Sequence, residues 1–238
     1  MPQITVTEAF GSSKTVAGPC RPQSLLADLE KRNIPAVMIA RELNSDSVSS
    51  LMVDNEAGAH LAIEHLYSLG HRKIAFIRGP KVLGDAAPRW RGVRSFARSV
   101  RLPIDPALVA ELPDSLDPNS AFESGLKLTD ELMKHKKRFT AIMAFDDMTA
   151  FGAIRSLARA GLKTPDDCSV IGFDDVLPAG LSVPSLTTVR QPMEALGSTA
   201  VGIIMEGINA AAEDREFKPV RRKLAPELVV RESTRALT

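Results

Sequence analysis

Two short apolar runs, residues 141–145 and 169–173, each stop at a pair of aspartates, Asp146–Asp147 and Asp174–Asp175. Between them Met148, Phe151, Ile154 and Leu157 recur close to the helical period. This reads as strand, helix, strand. A right-handed crossover makes the two strands parallel. Both carboxylate pairs then fall at the carboxyl ends of parallel strands, where open α/β sheets bind ligands.

The rest of the chain repeats the pattern. Residues 1–22 keep no period, and 4–7 is at best a poor strand. Ser24 caps a helix over 25–32, followed by strands at 34–40 and 50–53, the second ending at Asp54–Asn55. The clearest helix is 56–69, with Ala59, Ile63, Leu66 and Leu69 on one face and Gly70 as a left-handed cap. Strand 74–77, helix 89–100, strand 108–112 and helix 122–134 lead to the opening unit. A helix at 193–211, a charged loop at 212–220 and a strand at 228–230 follow it. Strands alternating with helices over short connections predict an α/β fold of doubly wound parallel sheets.

Composition removes several functions. The 30 basic and 29 acidic residues leave a net charge of +1, which gives no support for nucleic-acid binding. Cys20 and Cys168 have no metal spacing and read as free thiols in a reducing compartment. With the four histidines scattered, neither a metal nor a cofactor is expected. The chain shows no basic-then-apolar secretory start, and no uninterrupted apolar run approaches the roughly 20 residues a membrane helix needs. The expectation is a cytoplasmic protein with no membrane partner. The run Lys134–Arg138 reads as a solvated helix end, where cations suit the dipole.

Ordered motifs carry a family resemblance. They include Val53-Asp54-Asn55-Glu56-Ala57-Gly58-Ala59, Leu69-Gly70-His71-Arg72-Lys73-Ile74, Arg89 with Gly92, and Ala144-Phe145-Asp146-Asp147-Met148. Further along stand Ser169-Val170-Ile171-Gly172-Phe173-Asp174-Asp175, Leu186-Thr187-Thr188-Val189-Arg190-Gln191-Pro192 and Glu227-Leu228-Val229-Val230-Arg231-Glu232-Ser233. From about residue 25 to 234 the chain resembles the effector-binding core of the LacI/GalR transcription regulators, which have the type I periplasmic-binding-protein fold. The resemblance implies two lobes. The carboxy-terminal subdomain would be 55–190 with 222–234. A remnant of the amino-terminal subdomain would be 24–54 with 191–221, after an irregular segment 1–23. Crossings are expected near Asp54, Gln191 and Val220. The family's helix-turn-helix finds no counterpart in residues 1–33, and the smaller lobe is expected to be incomplete.

The resemblance implies a sensor of a small-molecule effector, a sugar or small metabolite, working as a homodimer. It would touch DNA only if a helix-turn-helix lies upstream in the full-length protein. A periplasmic-type sugar-binding protein and a truncated, non-sensing fragment are the alternatives. An enzyme is not expected, because no nucleophile, metal or phosphate loop accompanies the paired carboxylates. The expected ligand contacts are Arg89, Asp146, Asp174 and Asp54. Asp174 can accept hydroxyls beside Gly172, Asp146 matches a ligand position of the family, and the planar fork of Arg89 suits vicinal hydroxyls or a carboxylate. Asp54 can reach a ligand or cap the helix that follows; Asp147 reads as the cap of the helix starting at Met148. Ser120 stands where sugar-binding members often carry an aromatic ring. His65 reads as a structural hydrogen-bonder, and His71 follows a helix cap that welcomes a cation.

Overall fold

The computed structural model describes residues 29, 31–32, 34–40, 45, 47–114, 119–135 and 138–237. The expected strand at 4–7, Cys20 and most of the expected helix at 25–32 lie outside the described residues. In chain order the elements are β1 (Val37–Ile39), β2 (Ser49–Val53), α1 (Asn55–Ser68), β3 (Ile74–Arg78), α2 (Ala86–Ser99), a 3-10 turn (Pro106–Leu108), β4 (Val109–Glu111) and α3 (Asn119–Lys134). They continue as β5 (Ala141–Met143), α4 (Asp147–Arg159), β6 (Ser169–Ile171), α5 (Leu177–Leu181), β7 (Thr188–Arg190), α6 (Met193–Ala212), β8 (Arg221–Leu224) and β9 (Glu227–Val229). The chain divides into two compact units, Met1–Val53 with Pro192–Leu224, and Asp54–Gln191 with Ala225–Thr238.

In the larger unit a parallel sheet runs in the order β4-β3-β5-β6. β3, β5 and β6 are buried on both faces and read as largely apolar runs, while the edge strand β4 is only part-buried. Successive strand residues point to opposite faces. Ile74 and Phe76 join the cluster under α1 and α2 with Ile63, Leu66, Val93 and Phe96. Ala75 and Ile77 join Ile142, Val170, Ala153 and Leu157 on the face covered by α3 and α4. The α3–α4 contact is made by bare backbone: a Cβ on Gly152 would collide with the Phe122 carbonyl oxygen. β7 extends the sheet through parallel bridges Ile171–Thr187 and Asp174–Arg190, and pairs antiparallel with β9.

The smaller unit is a parallel sheet in the order β1-β2-β8. Leu51 and Val53 pack against Leu196 and Ala200 of α6, with Val37, Ile39, Ile203 and Leu224 around them. The other side of α6 leaves Met193, Val201 and Met205 exposed. Among the described residues α6 is the one helix long and apolar enough, by length and composition, to cross a membrane; its mean composition passes although no uninterrupted apolar run does.

Several boundaries differ from expectation. α2 begins at Ala86 instead of 89, with Pro88 in the first turn, where the missing N–H has no helical partner anyway. β8 was not expected at all. Its sequence is Arg-Arg-Lys-Leu with three exposed cationic residues, so it has no apolar alternation, and the ladder to β2 makes it a strand. β8 carries the chain's last change of unit to Leu224–Ala225, so residues 222–224 sit in the smaller unit and not with 225–234.

Candidate ligand site at the carboxyl ends of the parallel strands

The loops after β3, β5 and β6 and the first turn of α2 meet around Arg89. This arginine is only 6% exposed, and protein groups hold its guanidinium on every side. Nε donates to Asn55 Oδ1 at 2.9 Å and Nη1 to the Phe145 carbonyl oxygen at 2.6 Å. Nη2 reaches Asp174 Oδ1 at 3.3 Å and Asp85 Oδ2 at 3.0 Å. The Phe173 ring lies with its centroid 3.6 Å from the guanidinium carbon, and the Phe145 ring at 4.6 Å. A cation flattened against aromatic faces is stabilised by their quadrupoles. A Cβ on Gly79 would strike the Phe145 ring, so glycine there leaves that ring its place. Arg78, Gly79, Arg89, Trp90, Phe145 and Phe173 line a small pocket at this end of the sheet. Trp90 packs edge-on to Phe76, with Arg78 over its ring.

Asp174 faces Arg89 from the loop after β6, and its Oδ1 also accepts from Gln191 Nε2 at 2.5 Å. Asp174 has φ 116 and Asp175 has φ 59, both in the left-handed half of the map that non-glycine residues seldom occupy. Burial raises the Asp174 carboxyl to about 6. Arg89 and the Gln191 hydrogen bond pull it down, and the Asp146 and Asp85 charges push it up. Asp175 looks away from this pair. It accepts from Arg190 Nε and Arg231 Nη2, each at 2.6 Å. Burial pulls its pKa up, but those two arginines outweigh burial and hold it below the ordinary carboxylate value.

The first aspartate pair divides its work differently from expectation. Asp146, not Asp147, is the N-cap of α4: its Oδ1 accepts from Thr149 N at 2.7 Å. Asp147 is the first helical residue and is fully buried. Its carboxylate accepts from Thr188 Oγ1 and from Val176 N at 2.9 Å. Burial raises its pKa to about 7 against those two hydrogen bonds, with Asp174 and Asp146 adding to the rise.

The structure thus brings Arg89 and Asp174 into contact, with Asp146 near enough to act on Asp174 electrostatically. Asp54 caps α1, its Oδ1 accepting from Ala57 N at 3.0 Å; the neighbour that reaches Arg89 is Asn55. Sequence reasoning passed over Asn55, Asp85, Phe145, Phe173 and Gln191. Asp85 carried a legible signal, since it stands four residues before Arg89 on what proves to be one helical turn.

His65 and His71 are held in structural hydrogen bonds. His65 Nε2 bonds Thr234 Oγ1 at 2.9 Å. His71 is buried and no cation at a helix end: Nδ1 bonds Thr140 Oγ1 at 2.9 Å, and Nε2 lies 3.1 Å from both Ser169 Oγ and the Arg235 carbonyl oxygen. Burial, with a smaller push from Arg72, lowers its pKa. Cys168 is buried, and burial lifts its thiol to about 12. Among the described residues no cluster of His, Cys, Asp and Glu could hold a metal.

Parallel sheets covered by helices, with polar groups gathered at the carboxyl ends of the strands, define an open α/β architecture with a ligand-binding end. Residues 63–234 match the Periplasmic binding protein-like domain family. The transcriptional regulator DegA of Bacillus subtilis is 34% identical over 90% of this chain and 60% of its own length. Among solved structures, a LacI-family regulator from Mycobacterium smegmatis is 30% identical, with a TM-score of 0.72 over 91% of this chain and 75% of that one. A LacI-family regulator from Enterococcus faecium with bound ribose has 27% identity and a TM-score of 0.77 over 91% and 76%. The chain therefore belongs to the LacI family of transcriptional regulators and carries its periplasmic-binding-protein-like domain. It spans about 60% of the length of the curated relatives it matches.

Proposed function

We propose that this chain is the effector-sensing core of a cytoplasmic LacI-family transcriptional regulator, and that its effector is a small neutral polyhydroxyl compound, a sugar foremost. It binds no operator alone; DNA contact belongs to a helix-turn-helix elsewhere in a longer protein. It performs no catalysis. The observation that carries the reading is the Arg89–Asp174 pair at the strand ends. Arg89 is already engaged by Asn55, Phe145, Asp85 and Asp174. The carboxylates of Asp174 and Asp146 each keep an oxygen for a ligand hydroxyl. Asp85 and Asp174 both contact the Arg89 guanidinium, and the Asp146 carboxylate acts on Asp174 from close by, so acidic groups outnumber this one cation. A neutral ligand suits it better than a phosphorylated or carboxylated one. The relative from Enterococcus faecium, solved with ribose, supports the same class.

The test is a thermal-shift and calorimetric screen of neutral sugars, ribose included, beside their phosphates. A ligand that binds only the folded chain raises its melting temperature. Neutral sugars are expected to shift the parent, the phosphates to shift it less, and Asp174→Ala to lose about 100-fold in affinity or more, the scale expected for a charged hydrogen-bonding partner. Binding unchanged in Asp174→Ala would overturn the site. A homodimer is part of the proposal, supported by the exposed apolar group Leu177, Leu181 and Val183, which are 80%, 72% and 95% accessible. Sedimentation of the chain at twice its own mass would agree, and a monomer at micromolar concentration would not.

A further inference from the structure

We propose that Asp147 is the positioning residue of the ligand site, holding the loop after β6 in the left-handed backbone that aims Asp174 at Arg89. The proposal rests on the reading of Asp174 as a ligand contact.

Asp174 and Asp175 carry positive φ without being glycine. Such residues are strained and persist only where their surroundings over-determine them. Asp147 clamps this loop from both sides. Its backbone N–H donates to the Phe173 carbonyl oxygen at 2.9 Å, immediately before the pair. Its side chain accepts from Val176 N at 2.9 Å, immediately after it. The other carboxylate oxygen takes the hydroxyl of Thr188, which ties the clamp to β7. Gly172 makes room for it, because a Cβ there would collide with Asp147 Oδ1. The Asp174 N–H donates to the Val189 carbonyl oxygen at 2.8 Å, so the loop is pinned to the same strand that carries Thr188.

The ionisable groups facing Asp147 are Asp146 on its own helical turn and Asp174 on the loop. The nearby cations Arg190 and Arg231 are engaged by Asp175. The buried carboxyl therefore takes up a proton far more readily than a free aspartate. Asparagine imitates the protonated form: its oxygen can accept from Val176 and its NH2 can donate to Thr188. Alanine can do neither.

The experiment uses the whole chain without ligand. It reads carboxyl-carbon NMR titrations of Asp174 and hydrogen exchange of the Val176 amide. In Asp147→Asn the Val176 amide keeps its protection and Asp174 keeps its midpoint. In Asp147→Ala Val176 exchanges about 10-fold faster or more, amides of β3 and β5 stay protected, and the Asp174 midpoint moves as its carboxylate leaves Arg89 and Gln191. A general loss of stability would speed all of these amides together and leave the Asp174 midpoint in place. Should Asp147→Ala not fold, Thr188→Val removes one of the two bonds, and faster exchange at Val176 alone is expected. Parent-like Val176 protection and an unmoved Asp174 midpoint in whichever variant folds would overturn the proposal. Sugar binding that survives Asp174→Ala would sink the ligand site and leave these ligand-free readings untouched, so the two ideas fail separately.

Discussion

Asp146–Asp147 and Asp174–Asp175 are the same dipeptide at the ends of two neighbouring strands, yet no two of the four carboxylates do the same work. In the first pair the leading residue caps a helix and the second is buried as a clamp. In the second pair the leading residue meets Arg89, and the second is held by two arginines. The difference comes from what each strand end runs into. α4 starts at once after β5, so Asp146 finds free N–H groups. After β6 the chain turns through positive φ, and nothing helical starts before Leu177. Local chemistry is shared, and tertiary neighbours assign the roles.

The contrast is sharpest in acid and base. The carboxyl of Asp147 stands at about 7, against 3.8 for the unperturbed group. Between those values the folded chain holds a proton that the unfolded chain has released. Stability therefore falls as pH rises from 4 to 7, by up to about 1.4 kcal/mol per pH unit for each such group. Asp174, raised to about 6, adds to the slope over the lower part of this window. The largest expected effect is that Asp147→Asn removes most of the decline, measured by urea unfolding at a series of pH values. An unchanged slope would return Asp147 to ordinary behaviour and break the contrast between the pairs.

Asp175 works in the opposite sense. Its folded pKa is depressed, so the stability it contributes is fully present above the unfolded value near 4 and disappears as pH falls below it. Asp175→Asn is expected to cost about 2 kcal/mol at pH 6, less than a wholly buried pair, because Arg190 is half exposed. It should also flatten the acid limb, which the same unfolding series reads. The smallest effect belongs to Asp146→Ala. Loss of the α4 cap costs about 1 kcal/mol. If sugar affinity in that variant falls by no more than the stability change explains, Asp146 is a cap and not a contact.

Much of the larger unit was legible. β3, β5 and β6 are buried on both faces and so must be unbroken apolar runs, and α1 and α4 keep their period because one side of each packs on the sheet. Arg89 and Asp174 could be named as site candidates from the family motifs and their positions, and the fold brings the two into contact. Asn55, Asp85 and Gln191 could not, since each becomes important only through a bond to Arg89 or Asp174 that spans the fold or a turn not visible beforehand. The smaller unit was less legible. β8 is a strand by pairing alone, and Leu51 and Val53 are buried because α6 lies against them, more than a hundred residues away along the chain.

The sequence by itself determined the alternation of strands and helices, the parallel sheet it implies, and the end of that sheet where polar groups collect. These follow from hydrophobic period, turn residues and the handedness of crossovers, all of them local. Only the tertiary structure decided which aspartate of each pair caps a helix, is buried against Val176 and Thr188, or pairs with an arginine. A carboxylate's role depends on its burial and on which N–H, hydroxyl or guanidinium lies within hydrogen-bonding reach, and Thr188, Gln191 and Arg231 arrive there by folding, from 41, 17 and 56 residues along the chain.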